Sequence, residues 1–454
     1  MIENLKTMVL WLLILLSVFL TYQIWTFQPE YAILKSAEYI DNLQIGEEKS
    51  LQEVIKPKHI VFHHQESSFS PSNQLEINDT LYEELFQGLT FENFSPLSNL
   101  ELRDNRQSNT ELEFIFPDSI PAEVIIELFQ INSSEQFLLQ GIDQVVFSTI
   151  EIGEEEQVRV RFVSLKEKLT SEAVTNLSVS RFEEAVMDSI SELSYPVFSY
   201  VLINYGNGYM KKVYLPDDTL EMDSAIYLSK PIAPEHFKQS LFSDPSFVKN
   251  YLQSNGEESF TDGNRMVNVL NSGNVLRYIN PGYGDTADRS SKSSLNSSLD
   301  FLNGHGGLTN PFYFDSVKSV ATSEEITFRL AVGGHPVYES NFYDVNNLFE
   351  ITLTRVGGNQ FEQYIRPLFY IEADPINSVI TTKLPSGHEL IDLLKNQVGF
   401  DRYLLTDINN GFKMNKRQSI ITFEPSWFIQ YNGKWESISV AETDDSEVIF
   451  GGLE

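Results

Sequence analysis

The sequence predicts an α+β fold in which a single N-terminal transmembrane helix precedes a three-domain extracytoplasmic region. The length is the first observation, because 454 residues exceed a single core when one domain takes about 100 to 200 residues. The second is the composition, with 41% hydrophobic and 21% charged residues, which is ordinary for folded domains. The third is the patterning, since segments of helical periodicity alternate with segments of strand alternation after the first apolar segment.

The charge balance and the lack of cysteine exclude several classes of function. Lys and Arg total 32 against 64 Asp and Glu, which gives a net charge of −32 and a pI near 4.5. Such a charge disfavours nucleic-acid backbones and anionic lipid surfaces, and it favours cations or basic protein faces as partners. Because no cysteine is present, disulfides, thiolate metal sites, cysteine nucleophiles and cysteine-linked lipid anchors are excluded.

The N-terminal segment Thr7–Phe27 predicts a membrane-spanning helix. No charged residue occurs between Lys6 and Glu30, and about 21 residues reach roughly 31 Å as a helix, enough to cross the hydrocarbon layer of a bilayer. A cleaved signal peptide is the alternative, but the apolar stretch is long and no small-residue cleavage site follows it. Residues 1–6 are expected in the cytoplasm, because the flank after the helix is the more acidic one.

A first extracytoplasmic domain is predicted at residues 28–175. The sequence HIVFH at 59–63 predicts a strand, and 78–89 predicts a helix with Asn78 and Asp79 as its cap. Further strands are predicted at 112–116 and 144–163.

The central domain is predicted at residues 176–290. It opens with a helix over 181–193, whose apolar residues share one face. Its other predicted elements are a hairpin turning at 206–208, helices at Pro234–Leu241 and Pro245–Leu252, and two extended runs joined at Asn271–Asn274.

The C-terminal domain is predicted at residues 291–454. Its predicted elements are helices at Leu295–Asn303 and Gly387–Asn396 and strands at 312–319, 324–332, 348–356, 361–371 and 418–431. Helix, hairpin, helix, hairpin thus occurs in both the central and the C-terminal domain, which predicts similar topologies for the two. The alternative is that α+β domains commonly share such an order.

The search for catalytic, cofactor and metal chemistry assigns no residue to any of these roles. His59, His63 and His64 are the closest histidines, but a strand turns His64 away from the other two, and partly exposed strand residues are expected rather than a metal site. No nucleophile elbow, zinc helix, Walker loop or dinucleotide-binding glycine motif is present. We therefore predict a non-enzymatic protein without a cofactor.

The predicted helix carries a candidate surface for contact with a neighbouring membrane helix. Six residues at helical spacing share one face, and three of them bring a hydroxyl or an amide that can form a hydrogen bond between helices. The six residues are Leu10, Ile14, Ser17, Thr21, Ile24 and Gln28. Spanning helices without a partner carry such residues too, which leaves a simple tether as the alternative.

Several segments together resemble the YycH family, the membrane-anchored extracytoplasmic regulators of the WalK/WalR (YycG/YycF) two-component system of low-GC Gram-positive bacteria. Their order and the overall length make the resemblance specific, and it covers the whole chain. The segments are LTYQIWTFQPEY at 20–31, LFSDPSFVKNYL at 241–252, TDGNRMVNV and LRYINP within 261–281, SLDFLNGHGG at 298–307, YIRPLF at 364–369 and the terminal GGLE. Tyr22 and Thr261 stand where Trp and Ser are usual in the family.

The resemblance implies a three-domain exterior, central and C-terminal domains of shared topology, and no enzymatic activity. It also implies two partners: the sister protein YycI, and the sensor histidine kinase WalK (YycG), contacted through transmembrane helices and outer domains, with an effect on cell wall metabolism. The implied location is the cell membrane, single-pass, with the C-terminal region extracellular. The resemblance leaves the sign of regulation open, because the family includes inhibitors and activators.

An anchored cell-surface binding protein for a cell-wall fragment or a cation is the alternative from another class. In that case the outer domains would carry the function and the helix would only tether them. An extracytoplasmic hydrolase is disfavoured, because no pair of nucleophile and base can be named.

Overall fold

The computed structural model describes the chain except for residues 1, 27–44, 82–84, 86–87, 96–97, 101–108, 132–136, 153–154, 205–208, 254–256, 282–292, 321–322, 341–347, 357–360, 377–379 and 439–454. Within the described residues the fold mixes helix and sheet and is rich in sheet, which confirms the predicted mixture of the two.

The α-helices of the described residues are α1 Ile2–Thr26, α2 Leu51–Val54, α3 Gln74–Leu81, α4 Ala122–Leu128, α5 Val179–Leu193, α6 Pro234–Leu241, α7 Ser294–Gly304 and α8 Gly387–Asn396. No helix in this part of the chain is both long enough and apolar enough to qualify as a membrane span.

The first thirteen strands are β1 His59–His64, β2 Ser67–Pro71, β3 Phe91–Glu92, β4 Ser98–Asn99, β5 Thr110–Pro121, β6 Gly141–Ile152, β7 Glu155–Ser164, β8 Leu169–Thr175, β9 Ser194–Asn204, β10 Tyr209–Pro216, β11 Leu220–Pro231, β12 Lys249–Leu252 and β13 Glu258–Thr261. The others are β14 Met266–Leu270, β15 Val275–Ile279, β16 Phe312–Val320, β17 Ser323–Val332, β18 His335–Ser340, β19 Glu350–Val356, β20 Phe361–Pro367, β21 Phe369–Ile371, β22 Ile380–Leu384, β23 Leu405–Arg417, β24 Ile420–Tyr431 and β25 Lys434–Ile438.

These strands form two sheets. The first sheet has the order β10-β9-β2-β1-β5-β6-β7-β8-β3, with β4 also paired to β8. Strands β9 and β10 therefore join the sheet built from residues 59–175, because β2 pairs with β9 in antiparallel register from Phe69 opposite Pro196 to Pro71 opposite Ser194.

The second sheet has the order β12-β13-β14-β15-β20-β19-β17-β18-β23-β24-β11-β21, with β16, β22 and β25 paired to β17, β11 and β24. Its described pairs are antiparallel except for β18 with β23, which run parallel. Strands from residues 220–279 and from residues 312–438 thus belong to one continuous sheet.

Helices cover the sheets with apolar faces, as their periodicity predicts. Phe182 and Val186 of α5 are fully buried against the first sheet. Helix α8 begins with a capping box, in which the Ser386 hydroxyl accepts from the Glu389 N–H at 3.3 Å and the Glu389 carboxylate accepts from the Ser386 N–H at 2.8 Å. Both helices were predicted, because their signals lie within a few residues of chain.

Two predicted helices are wrong in their bounds or type. Helix α3 begins at Gln74 instead of Asn78, because the Asn73 side-chain oxygen accepts from the Glu76 N–H at 3.3 Å and supplies the cap. The predicted helix Pro245–Leu252 is a short 3-10 turn followed by strand β12, which pairs with β13. Pairing with β13, the next strand along the chain, outweighed the local proline signal.

The predicted turn at Asn271–Asn274 is confirmed, since it joins β14 to β15 as an antiparallel pair. Strands β9 and β10 also pair as the predicted hairpin, while its turn at 206–208 lies outside the described residues.

Candidate functional site

The predicted contact surface lies on α1, where the structure describes four of the six side chains. Leu10 is 58% and Ile14 is 44% exposed, and Ser17 and Thr21 are exposed as well. The Thr21 hydroxyl donates to the Ser17 carbonyl oxygen at 2.8 Å. This bond uses the hydroxyl hydrogen, and the lone pairs of the hydroxyl oxygen can still accept from a neighbouring helix.

The rest of the α1 surface is apolar and exposed. Met8 is 69% and Leu15 is 65% exposed, although such side chains are usually buried. A contiguous exposed apolar surface of this kind marks a contact with lipid or protein. Of the two remaining predicted residues, Ile24 belongs to α1 with a side chain outside the described residues, and Gln28 lies outside the described residues altogether.

Residues 45–47, the first described residues after α1, form a backbone bridge with the loop after α7. The N–H of Glu47 donates to the Leu308 carbonyl at 3.0 Å, and the Leu308 N–H donates to the Glu47 carbonyl at the same distance. Gly46 also donates to the Gly306 carbonyl at 2.8 Å. We call residues 45–47 and 306–308 the return bridge.

Close backbone packing at the return bridge requires glycine. A Cβ on Gly46 would lie 2.3 Å from the Leu308 carbonyl oxygen, and a Cβ on Gly307, whose φ is +70°, would lie 2.5 Å from the Glu47 carbonyl oxygen. The buried guanidinium of Arg366 supports the loop from behind, donating to the Gly307 carbonyl at 3.1 Å and to the Thr309 hydroxyl at 2.9 Å. The chain after α1 is thus held against the second half of the molecule.

Buried charges join the two sheets at a second location. The Lys58 ammonium lies 2.6 Å from Asp407 Oδ2, and the Lys211 ammonium lies 2.9 Å from the same oxygen. Lys58 precedes β1 and Lys211 lies in β10, both of the first sheet, whereas Asp407 lies in β23 of the second. We call these three residues the sheet junction.

The sheet junction perturbs the pKa values of its members in directions that follow from burial and pairing. Burial lowers the pKa of Lys58 to about 8, and the negative charge of Asp407 acts in the other direction by raising it. Burial opposes ionisation of Asp407, but the ammonium groups of Lys211 and Lys58 outweigh it and hold the pKa below its usual range. The Lys58 ammonium also lies 5.2 Å from the ring centre of Trp435.

A buried arginine extends the polar contacts within the second sheet. Arg329 donates to both Asp315 oxygens at 2.8 and 2.9 Å and lies 2.8 Å from a Glu350 oxygen. Asp118 of the first sheet accepts from the Val317 N–H of β16 at 2.8 Å. Two separate contacts, at Asp407 and at Asp118, therefore fix the sheets to each other.

His63 is buried, so the expectation of partly exposed strand histidines is wrong for this residue. Its Nδ1 lies 2.9 Å from the Ser68 hydroxyl and its Nε2 lies 3.3 Å from Glu113 Oε2. The Tyr214 hydroxyl donates to the same Glu113 oxygen at 2.6 Å. The types Ser, His and Glu are those of a hydrolase, but Ser68 is only 8% exposed, which bars a substrate carbonyl from its hydroxyl. The group is a buried hydrogen-bond network.

Metal ligands do not converge within the described part of the chain. No group of three or more His, Asp or Glu side chains in that part could hold a metal ion. Residues Thr261–Asn264 form an Asx turn and not a cation loop, because Asp262 Oδ1 accepts from the Asn264 N–H at 2.9 Å and from the Arg265 N–H at 2.7 Å.

Sequence reasoning missed the sheet junction. Its three residues are separated by 150 or more positions along the chain, and no local pattern pairs them. One feature of the sequence could have indicated it. Asp407 is a charged residue directly before a run of buried residues in β23, and a charge in such a position needs a partner.

These features define a sheet-rich α+β protein that presents an exposed apolar helix at its N-terminus. The chain belongs to the YycH family, because the family model described as YycH protein, N-terminal domain, matches residues 3–194 and that described as YycH protein, C-terminal domain, matches residues 210–445.

Two relatives illustrate the similarity. The chain is 23% identical over 453 residues to the "Two-component system WalR/WalK regulatory protein YycH" of Bacillus subtilis, covering 95% of each chain. It also resembles the crystal structure of YycH from Bacillus subtilis with a TM-score of 0.67 and 19% identity, covering 86% of this chain and 98% of that one. The second likeness supports the fold.

Proposed function

We propose that this protein is a non-enzymatic accessory regulator that modulates a WalK (YycG) sensor histidine kinase of a WalR/WalK two-component system and thereby affects cell wall metabolism. The observation that carries the proposal is the similarity over 95% of both chains to a WalR/WalK regulatory protein.

The proposed location is the cell membrane, with residues 7–27 as a single-pass anchor, residues 1–6 in the cytoplasm and the rest outside. The sequence supports it, because the segment has no charge and is long enough for a bilayer. The exposed apolar side chains from Met8 to Tyr22 need an apolar surrounding. The segment also falls within the family match that begins at residue 3.

The proposed contact surface on the anchor consists of the six residues Leu10, Ile14, Ser17, Thr21, Ile24 and Gln28, which would pack against helices of the kinase or of a YycI-like sister protein. A coupling of about 1 to 3 kcal/mol changes an equilibrium about 5- to 150-fold. A few interhelical contacts of about 0.6 kcal/mol each supply a coupling of that size. The return bridge would link the position of the anchor to the outer region.

We also propose the three-domain layout of the exterior, with units at 28–175, 176–290 and 291–454. The order of helices and hairpins after α5 and after α7 supports it. Because β9 and β10 pair with the first sheet, the first two units would share strands.

An anchor exchange tests the regulatory proposal. In a strain that depends on this protein, residues 7–27 are replaced by an unrelated membrane anchor, and phosphorylation of the response regulator is measured with display outside the cell verified. Phosphorylation of the response regulator is expected to change to the level found in a strain that lacks this protein. The matched control is the same unrelated anchor carrying the six contact residues at their positions, which is expected to restore the output. An unchanged output after the exchange would reject a role for the anchor.

Crosslinking within the membrane identifies what the anchor contacts. Because the chain has no cysteine, single substitutions Ser17→Cys and Thr21→Cys can each carry a photoreactive group. Leu12→Cys and Phe19→Cys place the same group on the opposite helix face. We expect capture of the kinase or of the sister protein from the first pair only, and equal capture from both faces would contradict a defined contact surface.

A further inference from the structure

A cleft of about 430 Å³ opens where two strand turns meet the ends of β11 and β21. The β14–β15 turn contributes Asn271 and Ser272, the β23–β24 turn contributes Gln418, and the ends of β11 and β21 contribute Ser229 and Phe369. Lys416 of β23 also lines the cleft and is its charged residue. We call it the Lys416 cleft. Its volume is in the range of sites that hold small molecules.

The walls of the Lys416 cleft are fixed by backbone hydrogen bonds between distant segments. The Ser229 N–H donates to the Ser419 carbonyl at 2.8 Å, the Ile232 N–H donates to the Leu368 carbonyl at 2.8 Å, and the Leu368 N–H donates to the Asn274 carbonyl at 2.8 Å. The cleft is therefore preformed, and a ligand would not have to order it.

Three residues at its rim hold a backbone conformation that side chains rarely adopt. The φ angles of Asn271, Ser272 and Gln418 are 52°, 53° and 54°. Asn tolerates this region, but Ser and Gln favour it much less, and residues held in it are found at ligand sites.

The polar side chains that line the cleft are one cation, three amides and three hydroxyls, and the amides and hydroxyls can each donate or accept. The Lys416 ammonium donates to the Gln418 carbonyl oxygen and lies 5.1 Å from the centre of the Phe369 ring, with only 6% of the residue exposed. Burial lowers the pKa of Lys416. The side-chain nitrogen of Asn271 is buried and makes no hydrogen bond within the described part of the chain. Hydroxyl groups of Ser229 and Ser272 line the same space.

The charge of the cleft is opposite to that of the chain. Its lining residues within the described part include one lysine and no Asp or Glu, although the chain has 64 acidic and 32 basic residues. A cationic ligand would be repelled and would find no carboxylate. One ammonium matches one negative charge, which favours a carboxylate over a phosphate dianion.

We propose that the Lys416 cleft binds a small molecule with a single carboxylate, of about the size of a dipeptide, with the carboxylate at Lys416. This binding site goes beyond the regulation of the kinase and does not depend on it. It would give the outer region a ligand whether or not the anchor contacts a kinase.

The test uses the full-length protein in detergent micelles with a fluorine probe on a single cysteine. Because the chain has no cysteine of its own, Ser272→Cys at the rim of the cleft carries the only probe, and Ser191→Cys on α5 is the matched control. The ligands are N-acetyl-Ala-Ala, its C-terminal amide, and acetate. N-acetyl-Ala-Ala is expected to shift the fluorine signal at residue 272 saturably and to leave the signal at residue 191 unchanged.

The comparison of ligands separates charge from size. The amide is expected to bind at least about tenfold more weakly than the acid, because it lacks the charge. Acetate is expected to bind as a carboxylate but more weakly than the dipeptide, because it fills less of the cleft of about 430 Å³. Acetate binding as tightly as the dipeptide would overturn the proposed size, and equal binding of acid and amide would overturn the proposed carboxylate site.

Substitutions test whether Lys416 binds the carboxylate. Lys416→Met keeps the length of the side chain and is expected to weaken the acid at least about tenfold, whereas Lys416→Arg retains most of the binding. Arg417→Met removes the same charge from the neighbouring exposed residue and is expected to change the affinity by less than about twofold. Thermal unfolding of each variant confirms folding. Unchanged binding in a folded Lys416→Met variant, or no saturable shift at residue 272 in the parent up to about 50 mM acid, would overturn the proposal.

Discussion

Helix α1 and the sheet junction both depart from the usual pattern of buried apolar and exposed charged side chains, each in a different way. On α1 the apolar side chains are exposed, with Met8 at 69% and Leu15 at 65%. At the sheet junction the charged side chains are buried, with Lys58 at 6% and Asp407 at 4%. Each arrangement is costly alone, because water disfavours exposed apolar surface and the interior disfavours unpaired charge.

The two regions resolve these costs differently. The sheet junction is satisfied within the chain, since two ammonium groups lie beside one carboxylate and the acid is held ionised. The apolar side chains of α1 stay exposed among the described residues, and the proposed anchor would bury them in lipid or against a neighbouring helix. We therefore expect the junction to fix the two sheets relative to each other and α1 to be the part whose surroundings can change.

The largest expected effect is the loss of the carboxylate at the sheet junction. Asp407→Asn keeps the shape of the side chain but removes the carboxylate that lies 2.6 Å from the buried Lys58 ammonium and 2.9 Å from the partly buried Lys211 ammonium, so we expect the free energy of unfolding to fall by about 3 to 5 kcal/mol. Urea unfolding of the full-length protein in detergent measures it.

The matched control for that variant is Asp392→Asn, which removes the same charge from an exposed pair with Lys395. Its expected change is below about 0.5 kcal/mol. Similar losses for the two variants would show that burial does not distinguish the junction from the surface.

A smaller effect is expected where the chain after α1 joins the fold. Gly46→Ala places a Cβ 2.3 Å from the Leu308 carbonyl oxygen, which forces backbone atoms apart and costs about 1 to 3 kcal/mol. Urea unfolding measures the change, and faster proteolysis near residue 46 would locate it. Gly304→Ala is the control, because no atom lies within 4 Å of its added Cβ. If both variants are equally stable, close packing does not hold the return bridge.

The pH dependence of stability tests His59, which lies beside the junction and whose ring nitrogen Nε2 is buried. Burial, reinforced by the charge of Lys58, lowers the pKa of His59 from 6.5 to about 3. The unfolded chain therefore binds more protons between these values, and stability is full above about pH 6.5 and falls as the pH decreases toward 3. The contribution of this one group is at most about 1.4 kcal/mol per pH unit.

The measurement compares the parent protein with His59→Phe in urea at pH 7 and pH 5.5. The variant is expected to lose less stability on acidification, because it has no imidazole to protonate. Parallel pH profiles for the two proteins would show that His59 is protonated equally in the folded and unfolded states.

The smallest expected effect lies on the contact surface of α1. Thr21→Val removes one hydroxyl, and an interhelical hydrogen bond in a membrane averages about 0.6 kcal/mol. We expect the regulatory effect on the kinase to change by about threefold. Tyr22→Phe removes a hydroxyl from an adjacent position that points away from this surface, and it is expected to have no effect. Equal effects of the two substitutions would contradict the assigned helix face.

Local signals account for the correct sequence predictions. Helices α5, α6 and α8 follow from an apolar stripe, an N-terminal proline and a capping box, each contained in one turn or one face. The contact residues on α1 follow from helical spacing alone, and their role stays a prediction. The helix predicted at Pro245–Leu252 failed because pairing of β12 with β13 is not encoded in that segment.

The sequence by itself determined the mixed fold, the family and the presence of helix α1, because composition, periodicity and segment order are properties of neighbouring residues. Only the tertiary structure decided that Lys58, Lys211 and Asp407 meet, that β9 and β10 belong to the first sheet, and that Lys416 faces a cleft without acids. These facts depend on strand pairing between segments far apart in the chain. The free energy of such pairing comes from burial and partner contacts that no local pattern contains.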